Sequence, residues 1–569
     1  LFMVGATLRG RSSIAEDHRH ATNPASEAGF SLLSFLYVML PSILAICLRI
    51  YPFLLSGLPF SVDAWPSIKY AEVLLEKSPI SLNSEELRGC DELGDRLFGA
   101  AVSALTGLRP MTAMAFYLPL VGATSILILY ALVKGIYGET AAFMASMLLA
   151  TAIPDTILTA GVKGETYAHP LYMTLLLLFL HKHVGFWRKM LLFSLVSASL
   201  ALTHYYTGIL IAVAMTSMGM ALLILGWRAG RGIRARILVF PITLATSVLV
   251  YLVAYARWAL EFISKIDWLS AASYQLIFFS LTLYSMLKPR SSSHMRTAAL
   301  SIIASLAALT LAFLSTKRPL VPGAPTLPMH YLLYASPFLA AASLAVLGHE
   351  KAKSLDDDER ALLPQFWLVT IIALECYAVF GNVEAGLGLT LAYRGLVFLI
   401  PPLSILCAIG FVSLLECKVA KLQGLSKILA AAILTAILAV NLYAFYATIF
   451  MQERYMGYFW LYEPPEYRAG LWTSSACDEL TIACDVKFTY LLKYYFDLRV
   501  NEVQGYLYLA GKAPSRPTAL LMYEQMYRNG YVIYGGYSIN LPESSAEKLR
   551  ELNHIYSNGP VNVYSGVGA

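Results

Sequence analysis

Four short stretches place ionisable side chains beside long apolar runs: Val62-Asp63-Ala64-Trp65, Lys163-Gly164-Glu165-Thr166-Tyr167-Ala168-His169-Pro170, Thr203-His204-Tyr205-Tyr206 and Tyr393-Arg394-Gly395. An ionisable group at membrane depth is costly to hold and is more often functional than one on a soluble surface. Asp63 is the sole acid between Ser56 and Tyr70 and is the first candidate for catalysis. A carboxylate there can deprotonate an acceptor hydroxyl or ligate a metal. The competing role is a cap for a helix starting near Ala64, with Pro66 in its first turn. Trp65, as an interfacial anchor, would hold Asp63 at headgroup depth.

Glu165 and His169 are four residues apart and share a face if their segment is helical. With Asp63 they could complete a divalent metal site (Mg or Mn) or a phosphate site. Lys163 and His204 are candidates for contacting a donor phosphate, and His204 could equally serve structure alone. Arg394 can hold a phosphate bidentately, the alternative being an arginine that snorkels to the headgroups. Cys477 and Cys484 are close enough in sequence to form a disulfide in an oxidising compartment. The chain has no zinc-type Cys/His spacing, no Gly-rich phosphate loop and no nucleophile elbow, which argues against a nucleotide-driven enzyme.

The elements that position these residues follow from composition. The chain has 569 residues, 58% hydrophobic and 14% charged, with a mean hydropathy of +0.61. A soluble protein of this length would carry about 25% charged residues, so most of this chain is solvated by lipid. The apolar runs lack the alternation of barrel strands and are therefore helices. With ~20 apolar residues needed per crossing, spans are expected near 30–50, 112–133, 138–157, 168–182, 189–203, 206–226, 237–256, 271–287, 298–315, 331–347, 365–381, 394–416 and 428–450. That makes about thirteen. The net charge of +6 is spread over short loops and sets topology rather than nucleic-acid binding.

Alternate short loops are basic: Lys182, Arg188 and Lys189; Arg228, Arg231, Arg234 and Arg236; Lys288, Arg290 and Arg296; Lys418, Lys421 and Lys427. Basic loops stay in the cytoplasm. The N-terminus is then inside, with 1–29 a short cytoplasmic tail, and 451–569 is outside, on a multi-pass protein of the plasma membrane. All four chemical stretches fall on the outer side. Residues 30–450 form the membrane domain, whose large first outer loop spans 51–111 and is expected to carry interfacial helices around 64–77 and 84–106. The tail 451–569 reads as a compact α/β domain. Its helix-like segments are Val486–Phe496 and Ser544–Leu552, its strand-like ones Thr518–Met522 and Tyr531–Tyr534, and a hairpin turns at Asn558-Gly559. The run Asp356-Asp357-Asp358-Glu359 is a solvated cytoplasmic face. No internal repeat is visible.

This layout, with the four phrases quoted above, resembles the GT-C membrane glycosyltransferases. It is most similar to archaeal members related to the protein mannosyltransferase and oligosaccharyltransferase branches. The resemblance implies a polytopic helical enzyme that takes a sugar from a polyprenyl (dolichyl) phosphate donor on the extracytoplasmic face. It implies catalysis by Asp63 assisted by Glu165, donor-phosphate contact by Arg394, and inversion at the anomeric carbon. Two features depart from those branches. Ala64 follows Asp63 where mannosyltransferases pair Asp with Glu, and Trp460-Leu461-Tyr462-Glu463 and Trp472 stand in place of a Trp-Trp-Asp motif. The acceptor is a lipid, glycan or protein. Membrane lipids are the other expected partner, and nucleic acid is not one. The alternatives are a transporter or flippase of lipid-linked glycans, which should show charges deep in its spans and halves related by repeat, and a polymerase or ligase of surface polysaccharide.

Overall fold

The computed structural model describes residues 32–566 except 82, 83, 88, 183, 229, 231–234, 258, 288–293, 322, 356–358, 382 and 417–422. The expected N-terminal tail, most of the acidic run at 356–359 and part of the basic loops lie outside the described residues.

Each expected span coincides with a helix, from Leu32–Ser56 to Gln423–Ile449. Ten helices among the described residues are long and apolar enough to cross a membrane. A bent pair, Glu139–Thr151 and Ile153–Ala160, which meet at 63°, makes an eleventh if it is one broken span rather than a re-entrant loop. The break falls at Ala152, which is extended, just ahead of Pro154 in the first turn of the second helix. Proline lacks the N–H that would continue the helix and clashes with the preceding turn, so the bend sits there. The expected count of thirteen is thus not reached by length and composition. Of the expected spans, those at 168–182 and 271–287, which fall on Gly164–Leu180 and Trp268–Leu287, lie outside that set. The chain is a multi-pass membrane protein.

The first loop carries two helices, Ala64–Glu76 and Gly94–Thr106. The second starts at Gly94, ten residues later than the expected 84. Gly94 packs directly on Thr203, where any Cβ would collide with the Thr203 side chain.

Beyond the last membrane helix, a five-stranded sheet has the order β2-β1-β3-β7-β6. Its strands are β1 (Ile482–Ala483), β2 (Val500–Asn501), β3 (Ala519–Tyr523), β6 (Asn553–Ser557) and β7 (Val561–Ser565). The strand β1 runs parallel to β2 and β3, while β7 is antiparallel to both β3 and β6. A separate hairpin pairs β4 (Tyr531–Tyr534) with β5 (Tyr537–Ile539). The turn between β6 and β7 contains Gly559 at φ 92, the left-handed backbone that glycine accepts without strain. The helix Val486–Tyr494 starts where Asp485 accepts the Phe488 N–H at 3.0 Å, an N-cap bond.

The domain is bound to the first loop through aromatic side chains. Trp65 is fully buried, with ring contacts to Tyr462 (5.1 Å, edge-on), Tyr467 (5.7 Å, stacked) and Tyr495 (5.3 Å). Leu58, Val62 and Trp65 belong to the same hydrophobic cluster as the domain core. Trp65 is therefore no interfacial anchor. Its large apolar surface is buried against domain tyrosines instead of facing headgroups.

Candidate active site

Two backbone hydrogen bonds fix the turn that presents Asp63. The Phe60 carbonyl accepts from the Val162 N–H at 3.0 Å, and the Ser61 N–H donates to the Trp460 carbonyl at 2.9 Å. The first loop is thereby joined to the segment before Lys163 and to the start of the domain. Ser61 itself sits at φ 90, a conformation L side chains rarely adopt. Such strain persists only where the surroundings over-determine the backbone, and it clusters at functional sites. The Ser61 Oγ accepts the Asp63 N–H at 3.3 Å.

The Asp63 carboxylate caps nothing, although the residue stands at the start of the helix Ala64–Glu76. The residue is half-buried and within electrostatic reach of Arg394, Tyr393 and Tyr490. The capping alternative is thus not what holds it there.

Glu165 lies in the first turn of the helix Gly164–Leu180. Its carboxylate meets Lys163 Nζ at 2.9 Å, Arg394 Nε at 3.2 Å and His204 Nε2 at 3.6 Å. His204 closes the helix Phe186–Thr203, and its Nδ1 bonds the Thr207 hydroxyl at 2.7 Å. Arg394 also reaches His204, with Nη1 to Nε2 at 3.0 Å. Its side chain is 33% exposed against 14% for Glu165 and 2% for His204. The guanidinium is therefore the accessible edge of a buried cluster.

One member was not singled out from the sequence. Glu92, in the first loop, places Oε1 3.3 Å from His204 Nε2. Gly164 permits this, because a Cβ there would meet Glu92 Oε2 at 2.6 Å and the Thr203 carbonyl at 2.7 Å. Burial first, and the neighbouring Asp91 next, push the Glu92 carboxyl well above its ordinary value. A carboxyl kept neutral can donate a hydrogen bond or a proton. The stretch Ser81–Asp95 contains Glu85, Glu86, Asp91, Glu92 and Asp95, and nothing in its pattern separates Glu92 from the others.

His169 is not in this cluster. Its Nε2 lies 3.1 Å from Asp155 Oδ1 and 3.0 Å from the Tyr172 hydroxyl. Asp155 in turn binds Arg49 at 2.6 Å, with both side chains fully buried. The set Asp63, Glu165 and His169 is thus not assembled as a metal site. Among the described residues no group of three or more His, Cys, Asp or Glu could hold a metal ion. Where Glu92, Glu165 and His204 converge, Lys163 and Arg394 already supply positive charge to Glu165. Cys477 and Cys484 are buried free thiols, one at a helix C-terminus and the other just after β1, so they are not joined.

No family model matches the chain, and no curated protein matches its sequence. Solved structures do. An oligosaccharyltransferase of Archaeoglobus fulgidus, tethered to an acceptor peptide containing an NVT sequon, superposes with a TM-score of 0.56 at 11% identity, covering 95% of this chain and 75% of that one. The chain has a GT-C fold. The archaeal oligosaccharyltransferase AglB from Archaeoglobus fulgidus, in complex with an inhibitory peptide and a dolichol-phosphate, gives a TM-score of 0.52 at 11% identity, over 94% of this chain and 74% of that one. ArnT from Cupriavidus metallidurans, bound to undecaprenyl phosphate, gives 0.49 at 12% identity over 94% and 98%. Another structure of the Archaeoglobus enzyme holds Zn and sulfate. In this chain the GT-C fold brings the first-loop acid, the Glu165 cluster and the C-terminal domain together at one end of the helical body.

Proposed function

We propose that this protein is an integral membrane glycosyltransferase of the plasma membrane. It transfers a sugar from a polyprenyl phosphate-linked donor to a hydroxyl of a lipid, glycan or protein acceptor. The observation that carries this is a partly exposed cation, Arg394, held by Glu165 and His204 within electrostatic reach of Asp63, whose carboxylate caps no helix. The archaeal structure with a dolichol-phosphate supports the donor class, since it shares the fold. The charge asymmetry of the loops supports a cytoplasmic N-terminus, with the chemistry and the C-terminal domain outside.

The groups suit a direct displacement. Asp63 takes the proton of the acceptor hydroxyl, whose oxygen attacks the anomeric carbon as the bond to the phosphate oxygen breaks. Arg394 and Lys163 hold the departing phosphate and its growing charge. Attack opposite the leaving group inverts the anomeric centre, as in inverting glycoside chemistry. Glu165 keeps both cations in place without touching the reacting atoms.

The test is transfer of radiolabelled sugar from polyprenyl-phosphate donors by purified protein in lipid, wild type against Asp63→Asn, with and without EDTA. Transfer abolished in Asp63→Asn, with folding intact, supports the reading. EDTA sensitivity would add a metal to it. Silence with every donor, or a fully active Asp63→Asn, overturns it, and silence brings a flippase forward.

A further inference from the structure

Asp63 is within electrostatic reach of Tyr393 and Tyr490, and the rings around those two come from four separate parts of the chain. Tyr393 precedes Arg394 on the helix Ala385–Leu415, and its ring lies 5.9 Å from that of Trp460. Tyr490 and Tyr494, on the domain helix Val486–Tyr494, are 5.4 Å apart. Burial first, and the Asp63 charge next, push the Tyr490 phenol up, and Tyr494 and Tyr534 also act on it. Tyr534 ends β4, and its hydroxyl donates to the Gly386 carbonyl at 3.4 Å and meets the Thr390 hydroxyl at 3.5 Å. The β4–β5 hairpin therefore reaches down to the first turns of the helix that carries Arg394.

Trp460 and Tyr490 back onto the domain core, and the other three rings are left largely open. Tyr393, Tyr494 and Tyr534 are 36%, 41% and 48% exposed, although Tyr393 and Tyr534 each join two parts of the structure. Lys493 lies 5.3 Å over the Tyr494 ring, which is still open to solvent. Trp460 and Tyr490 are half-buried. A buried tryptophan such as Trp65 contributes stability, whereas exposed rings grouped near an acid form a surface that a ligand can cover.

We propose that the wall formed by Tyr393, Trp460, Tyr490, Tyr494 and Tyr534 binds a pyranose ring of a saccharide acceptor. The inference rests on the glycosyltransferase reading and names the acceptor class that reading leaves open. A pyranose has an apolar face of C–H groups and a rim of hydroxyls. A tyrosine ring has the matching apolar face and a polar tip. Stacked on the wall, the sugar loses little conformational freedom and holds one hydroxyl toward Asp63. An extended peptide would instead be held by strand-edge backbone groups or by charged side chains. The polar groups of the wall itself are phenol hydroxyls, with Asp63, Arg394 and Lys493 at its edge.

The experiment has two arms, so that failure of this inference and failure of the transferase reading are distinguishable. The first follows release and transfer of labelled sugar from a polyprenyl-phosphate donor, with octyl pyranosides or an Asn-X-Thr peptide as acceptor. The second is saturation-transfer NMR of the purified protein with methyl pyranosides, which needs no turnover. Pyranoside transfer is expected, together with NMR contacts to ring C–H protons. In Tyr494→Ala and Tyr534→Ala the acceptor KM should rise about three- to tenfold per ring lost, with kcat and the donor KM moving far less. Tyr494→Phe should recover the KM, because stacking needs the ring. Release of donor sugar without pyranoside transfer or contacts would overturn the inference and leave the transferase reading standing. Transfer to the peptide alone, or an unchanged acceptor KM in both alanine variants, would overturn it as well. No release and no transfer would remove both.

Discussion

Glu92 and Glu165 approach the same nitrogen, His204 Nε2, at 3.3 and 3.6 Å. Two carboxylates so placed cannot both be charged cheaply. The charge belongs to Glu165, which has Lys163 and Arg394 beside it. The proton belongs to Glu92, whose carboxyl is pushed well above the ordinary range by burial and then by Asp91. A carboxyl whose folded value is raised favours the fold below its unfolded value, and loses that contribution as pH rises through the folded value. Activity should therefore fall on the alkaline side as Glu92 ionises and draws Arg394 away from Glu165. Glu92→Gln, a neutral stand-in, should flatten that alkaline limb in a pH–rate profile. An unchanged limb in the variant would detach Glu92 from the site.

The Asp63 carboxylate makes no cap hydrogen bond that its loss could break. Asp63→Asn should then lower transfer by about 10²–10⁴-fold, the range for a lost general base. The melting temperature in detergent should stay within roughly 1 °C of wild type. A variant that unfolds would give Asp63 a structural role instead.

Arg394 uses two different nitrogens, Nε for Glu165 and Nη1 for His204. A lysine has a single charged nitrogen and cannot keep both contacts while also meeting a phosphate. Arg394→Lys should raise the KM for the lipid-linked donor by roughly tenfold or more. The acceptor KM should change little. Equal effects on both substrates would mean that Arg394 does not read the donor phosphate.

In the C-terminal domain, burial pushes the Asp485 carboxyl up to about 6, against hydrogen bonds from Tyr523 and Phe488 that lower it. The sign matches that of Glu92. Its contribution is complete below the unfolded value and is lost as pH rises through about 6. The domain should be more stable near pH 5 than near pH 7, and Asp485→Asn should remove most of that difference. Melting temperatures across this window check it, and a wild-type curve that rises with pH would refute it.

Much of the fold was legible because the signals were local. Long apolar runs specify helices in lipid wherever they occur, and the strands Ala519–Tyr523, Tyr531–Tyr534 and the hairpin at Asn558-Gly559 carried their own patterning and turn residues. The site was legible only in part. Glu165, His204, Arg394 and Lys163 stood out as rare charges at span ends, and the fold brings them together. Glu92 did not stand out, since it sits among other acids and is selected only by the approach that Gly164 allows. The role of Trp65 was illegible for a different reason. Its partners Tyr462, Tyr467 and Tyr495 lie some four hundred residues away, beyond any local pattern.

His169 makes the same point, and it carries a prediction about stability. It pairs with Asp155, which pairs with Arg49, while the Arg49 Nε also donates to the Thr159 hydroxyl at 2.7 Å. Arg49 and Asp155 are fully buried and come from the helices Leu32–Ser56 and Ile153–Ala160. The pair therefore ties the first helix to the far side of the bend at Ala152, a few residues before Lys163. Removing one partner leaves a buried charge without its counter-charge, held by His169 or by the Thr159 hydroxyl, a cost of up to about 3–5 kcal/mol. Arg49→Met or Asp155→Leu alone should lower thermal stability sharply, and the double variant should regain most of the loss. A double variant as unstable as the worse single one would show that packing, rather than the charge pair, joins these helices.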